Sequence, residues 1–158
     1  MVDKTQHCTL PLFTFLLLVL PAAGRAEGGV ETPAATDRTK IMYRENVVYG
    51  QVHGAGLLAD VAFAKSDDPL PAILSVHGGR WRGGHKRDTS AIKVKQWARF
   101  GFYAMSIDYR LVGCTPAPAC YQDLQCAIRF LHANAEQLNI DPQRIFLIGQ
   151  SAGGHLVS

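Results

Sequence analysis

The sequence predicts an α/β protein, an antiparallel hairpin followed by parallel strands joined by crossover helices, on three observations. The runs "AILSVH", "FYAMSID" and "RIFLIG" are short and continuously apolar, the pattern of strands buried on both faces of a parallel sheet. The segments between them carry apolar residues at helical spacing, as connections between parallel strands require. Ahead of them, "NVVYGQV" and "LLADVAFA" flank the glycine-bearing "HGAG", which reads as a hairpin.

The elements follow in chain order. Lys4 and His7 precede an apolar run from Leu10 to Leu20, and the small residues Ala22, Ala23, Gly24 and Ala26 come next. This is the order of a secretory signal peptide over residues 1–26, cleaved after Gly24 or Ala26, and it predicts a secreted or periplasmic protein; the alternative is a buried N-terminal strand or helix. The run is shorter than the about 20 apolar residues of a membrane span, so no permanent span is expected. Residues 27–40, "EGGVETPAATDRTK", are small, polar and proline-containing and read as a disordered mature N-terminus. Residues 41–158 are then a single folded unit, without internal repeats.

After the hairpin and the first parallel strand, Thr89 to Phe100 places Ala91, Val94, Trp97 and Ala98 on one helical face, and Gly101 provides a stop. After the second, Tyr121, Leu124, Ala127, Ile128, Leu131, Ala135 and Leu138 form one apolar stripe, with Asp123 near the helix N-terminus and Asn139 and Asp141-Pro142 ending it. The third strand leads into the start of another helix at the chain's last residues.

Charge and cysteines narrow the function classes. With 16 Lys and Arg against 13 Asp and Glu spread over 158 residues, the net charge of +3 makes no case for nucleic acid or an anionic membrane. "RWRGGHKR" resembles a basic, aromatic RNA-binding segment in isolation, and export argues against that use. Cys114 and Cys120 bracket "TPAPA", a spacing open to a local disulfide in an oxidising compartment; it fits no zinc pattern, and Cys126 on the helical stripe reads as a buried inert thiol.

The chemistry concentrates in two places. Gly149-Gln150-Ser151-Ala152-Gly153 is a G-x-S-x-G sequence between a strand and a helical start. A serine on so sharp a turn needs neighbours without bulk, and the following helix turns its positive end toward developing negative charge, so Ser151 is the candidate nucleophile against the plainer reading of a turn serine. "SVHGGRWRGG", residues 75–84, follows the first parallel strand as a glycine loop able to bring N–H groups close to an oxyanion. Gly78 and Gly79 are the candidate donors there, joined by Ala152.

Together, His77-Gly78-Gly79-x-Trp81, "DYRL" from Asp108, "NIDPQRI" from Asn139 and "GQSAGGHL" from Gly149 resemble the α/β-hydrolase carboxylesterases of the HGG-W type, with the BD-FAE-like acetyl and feruloyl esterases the nearest branch. The resemblance runs from about Val47 to the end. It implies an α/β-hydrolase fold, N-terminal half only, a small-molecule or polysaccharide-linked ester substrate, and no metal or organic cofactor; it makes His77, Trp81, Asp108, Gly149 and Gly153 supports of the motif. Arg80 stands where many relatives carry a third glycine.

In this fold the triad order is serine, acid, histidine. Only His155 follows Ser151, and four positions along the same helix it reads as packing against the sheet edge; His77 shapes its own loop, while His53, His85 and His132 read as solvent-facing. The sequence is therefore expected to be the front part of a longer serine hydrolase, inactive alone, with an open sheet edge that favours aggregation. A formamidase or prolyl-oligopeptidase-type peptidase shares the same elbow, and a non-catalytic binding protein on a hydrolase scaffold is the reading from outside enzymology.

Overall fold

The computed structural model describes residues 40–88 and 93–158. The signal peptide expected over residues 1–26 and, apart from Lys40, the tail expected over residues 27–40 lie outside the described residues. Strands β1 (Ile41–Val52) and β2 (Ala55–Ala64) form the expected hairpin, closed by only His53 and Gly54 at φ 49° and 83°; Ala55 and Gly56 already belong to β2. Two positive φ values match the right-handed twist of the flanking strands. β1 starts earlier than its β-branched stretch because irregularities between Arg44 and Val47 and between Val48 and Gly50 let it continue along β2.

β3 (Leu70–Val76), β4 (Tyr103–Ile107) and β5 (Ile140–Gly149) complete a sheet of order β1-β2-β4-β3-β5. β2 meets β4 antiparallel, while β3 lies between β4 and β5 and runs parallel to both. The interior position of β3, flanked on both sides, explains its nearly uninterrupted burial and delivers the segment after Val76 to the end of β5. Asp141 and Pro142, expected only to end a helix, lie within β5, where the pairing with β3 slips between Leu70 and Ala72. Among the described residues β5 pairs with β3 alone, and Phe146 and Leu147 on it are exposed.

The core packs Val61, Leu74, Val76, Met105 and Ile107 of the sheet with Leu124, Ala127 and Leu131 of helix α2 (Ala119–Ala133), α1 being the short helix Val94–Arg99. The helix expected over 89–100 is thus described only for its second half, ending before Gly101 at φ 91°. The single stripe from Tyr121 to Leu138 becomes two helices, α2 and α3 (Ala135–Leu138). Asn134 causes the break: at φ −109° it leaves the helical region, and its Nδ2 donates to the Phe130 carbonyl at 2.7 Å, competing with the helical ladder. Asn139, left-handed at φ 51°, ends α3 as expected. Helix α4 (Ala152–Val157) follows β5.

Asp123 has a different role from the one expected. The helix begins at Ala119 with no acidic residue in its first turn, and Asp123, 1% exposed, turns into the interior against Arg110. Cys114, Cys120 and Cys126 are free thiols: Cys120 points into the core at the start of α2, while Cys114 stays on the exposed turn before it. Cys126 is half-buried, its Sγ 3.7 Å from the Tyr49 carbonyl.

Candidate active site

The turn from β5 to α4 reverses the chain over Gln150 and Ser151, with Ser151 at φ 51°, ψ −115°. A non-glycine residue there stores roughly 1–3 kcal/mol of strain and persists only where its surroundings over-determine it. They do. Gln150 N–H donates to the Val76 carbonyl at 3.3 Å, and Gln150's own carbonyl accepts from Gly153 N–H at 2.8 Å. A Cβ on Gly153 would stand 2.1 Å from the Val76 oxygen, and one on Gly149 would stand 2.2 Å from the Gly153 oxygen. The two motif glycines are therefore required by the close crossing of α4 over the ends of β3 and β5. Ser151 is left exposed, and Ala152 behind it is 2% exposed.

The loop after β3 abuts this turn. A Cβ on Gly78 would lie 3.4 Å from Ser151 Cβ and 3.0 Å from the Gln150 oxygen, so the first loop glycine and the serine are immediate neighbours. Gly79 adopts φ 111°, and its carbonyl accepts from Arg82 N–H and Gly83 N–H, both at 3.0 Å. A Cβ there would meet the Gly83 oxygen at 2.1 Å, which makes the second glycine obligatory. Arg80 and Trp81 follow at φ 56° and 60°, so the loop holds both residues in a left-handed conformation.

His77, 1% exposed, is buried beneath the loop. Its Nδ1 lies 2.7 Å from the Gly78 carbonyl, which requires the proton on Nδ1, and its ring stacks on Tyr109 at 4.3 Å between centroids. Tyr109 in turn donates its hydroxyl to the His77 carbonyl at 3.2 Å, and burial pushes that hydroxyl's pKa up to about 12, so it remains a donor.

Asp108 links the end of β4 to the loop that carries Lys86. Its carboxylate accepts from the Lys86 backbone N–H at 2.6 Å and from Lys86 Nζ at 2.7 Å, and its carbonyl accepts from Tyr49 at 2.7 Å. The far end of the glycine loop is thereby tied to the end of β4. Two residues later, Arg110 places its backbone N–H, Nε and a terminal amine on Asp123 at 2.7–3.0 Å. This pair anchors the "DYRL" segment to α2. Sequence reasoning missed it, although an acidic residue on an otherwise apolar helical stripe was the available signal. Asp60 was missed as well: buried in β2, it accepts from Tyr43, from Asn46 N–H at the β1 irregularity and from Arg87. Nothing in its apolar strand pattern betrays partners that approach from two separate segments, β1 and the loop carrying Arg87.

His155 does not pack against the sheet edge. It is exposed, its Nδ1 lies 3.2 Å from the Tyr121 hydroxyl, and its ring meets Trp81 nearly perpendicularly at 5.4 Å. His53, His85 and His132 are exposed, as expected. Among the described residues no histidine or carboxylate hydrogen-bonds the Ser151 hydroxyl. A cavity of about 290 Å³ lies elsewhere, beside Tyr43, Asp60 and Arg87, and no residue of the serine turn lines it.

Known proteins resemble this chain in sequence and in fold. Carboxylesterase NlhH of Mycobacterium tuberculosis is 35% identical over 89 residues, 56% of this chain and 28% of that protein. Esterase 2 of Thermogutta terrifontis, solved phosphonylated by cyclosarin, superposes with a TM-score of 0.62 at 30% identity, covering 72% of this chain and 44% of that one. A truncated form of a carbohydrate esterase from gut microbiota superposes with a TM-score of 0.65 at 30% identity, covering 79% of this chain and 44% of that one. The chain thus spans less than half the length of these relatives. The fold is that of an α/β-hydrolase, in part, and because the BD-FAE family profile matches residues 60–158, from the middle of β2 through the serine turn, the chain belongs to the BD-FAE family.

Proposed function

We propose that this chain carries the nucleophile and oxyanion hole of a secreted or periplasmic carboxylic ester hydrolase. The observation that carries the reading is the strained, exposed Ser151 with Gly78 directly against it. Ser151 Oγ attacks the ester carbonyl carbon. The resulting oxyanion is met by the N–H groups of Gly78, Gly79 and Ala152, of which Ala152, as the first helical residue, has no acceptor within its own helix. Collapse of the tetrahedral species expels the alcohol and leaves an acyl-serine, which water hydrolyses to the acid and the free serine.

A histidine has to take the serine proton and return it to the leaving alcohol, with a carboxylate orienting that histidine. Neither is found at Ser151 among the described residues, so we assign both to sequence beyond Ser158, consistent with the 44% span of the esterase structures. The acyl group is of acetyl or feruloyl size, and the alcohol belongs to a small molecule or a polysaccharide; the carbohydrate esterase among the structural relatives supports the latter. No metal or organic cofactor takes part. Residues 1–26 direct export, which the N-terminal mass of the mature protein checks.

The test uses the whole protein and a fluorescent organophosphonate, the class of reagent that the Thermogutta esterase accepts. Covalent labelling at Ser151, abolished in Ser151→Ala, together with hydrolysis of acetyl and feruloyl esters in preference to formamides and peptides, is the expected result. A whole protein that neither labels nor hydrolyses any of these substrates refutes the reading.

A further inference from the structure

We propose that His155 is a positioning residue that holds the glycine loop in its working conformation through Trp81. The loop contains two consecutive non-glycine residues in the left-handed region, Arg80 at φ 56° and Trp81 at φ 60°. Each is disfavoured on its own, so the pair reverts to a right-handed or extended path unless contacts outside the loop restrain it. Arg80 is exposed, and Trp81 is only partly buried where it packs against the core, so burial alone does not supply the restraint.

Two contacts on Trp81 do. Its carbonyl accepts from Val112 N–H at 2.8 Å, which fixes the main chain against the segment after β4. Its indole meets the His155 ring at 5.4 Å and 88°, the edge-to-face arrangement that aromatic quadrupoles favour. His155 is held for this contact from two sides: its backbone N–H donates to the Ser151 carbonyl at 3.0 Å, and its Nδ1 pairs with the Tyr121 hydroxyl of α2 at 3.2 Å. One residue therefore touches the serine's own peptide through its backbone and the loop through its ring. The loop and the serine turn are set relative to each other by a side chain that does not approach the reacting atoms.

The test is native trypsin digestion of the whole protein followed by mass spectrometry. Arg80 and Arg82 report opening of the loop, and exposed Lys65, between β2 and β3, serves as an internal reference. In His155→Ala, cleavage after Arg80 and Arg82 relative to Lys65 rises about tenfold, the scale of one lost aromatic pair. His155→Phe keeps a ring on the indole and stays within about twofold of the parent, whereas His155→Gln, which keeps a polar partner for Tyr121 but no ring, behaves like alanine. An unchanged ratio in His155→Ala overturns the proposal. So does a rise shared equally by Lys65, because the residue would then be holding the fold and not the loop.

The catalytic consequence rests on reading the loop as the oxyanion hole. On that reading His155→Ala lowers kcat for an acetyl ester about tenfold, with KM within about twofold, because the loop meets charge that exists only in the transition state. A parent protein without esterase activity would defeat the proposed function, while the digestion ratio would still decide the role of His155.

Discussion

Gly153→Ala and Gly154→Ala differ by one position and by one methyl group each, yet they are expected to separate sharply. A Cβ on Gly153 stands 2.1 Å from the Val76 oxygen and 2.6 Å from the His77 oxygen, both backbone atoms of β3 and its exit. Neither can rotate away, so α4 must retreat by roughly 1 Å to restore van der Waals contact. Forcing extra volume into a packed site costs about 1–3 kcal/mol, and rigid backbone on the receiving side puts this case near the upper end. On Gly154 the nearest atom is the Gly149 oxygen at 3.3 Å, which a few tenths of an ångström relieve. Replacing a helical glycine by alanine also contributes up to about 1 kcal/mol, so that variant stays within about 1 kcal/mol of the parent. Urea unfolding of the whole protein, followed by tryptophan fluorescence, measures the difference, expected at about 2 kcal/mol. The same displacement moves Ser151, whose conformation depends on the Gly153 N–H to Gln150 bond. Organophosphonate labelling of Gly153→Ala should therefore slow about a hundredfold. A Gly153→Ala protein as stable and as reactive as Gly154→Ala would refute the argument that the close crossing of α4 over β3 shapes the serine turn.

Further outcomes follow from the buried charges. Arg110→Met leaves the Asp123 carboxylate, 1% exposed, without its counter-charge and costs about 3 kcal/mol in urea unfolding, most of it recovered in the double variant Arg110→Met/Asp123→Leu. Burial opposes ionisation of Asp60, but hydrogen bonds from Arg87, the Asn46 N–H and Tyr43 outweigh it and hold its pKa below the ordinary 3.8. The ionised form is thus favoured in the native state, so this stabilisation is present above the ordinary value and lost as pH falls through the depressed one. Asp60→Asn should lower Tm at pH 7 and flatten its decline below about pH 4, measured by thermal scans from pH 2 to 7. Asp108→Ala releases the Lys86 backbone and ammonium; because the Asp108 side chain is 35% exposed, the cost is about 1 kcal/mol, visible as faster tryptic cleavage after Lys86 and Arg87.

The sheet and the serine turn were legible in the sequence because they rest on local causes. Continuous apolarity marks β3, β4 and β5, a short glycine-bearing turn closes the hairpin, and glycines flank the one serine that must turn sharply between strand and helix. These are constraints on backbone conformation and burial that act within a few residues, so residue order alone exposes them. Asn134, Asp123 and His155 show where that ends. Asn134 interrupts an unbroken apolar stripe because its amide finds a helical carbonyl. Asp123 reads as a favourable charge near a helix end until the fold brings Arg110 onto its buried side. His155 reads as a sheet-edge residue until the loop after β3 and the first turn of α2 converge on it from different parts of the chain. A side chain's partners across the fold depend on which surfaces the strand order β1-β2-β4-β3-β5 brings together. That order is set by the joint packing of the whole sheet and its helices, and only the tertiary structure decides it.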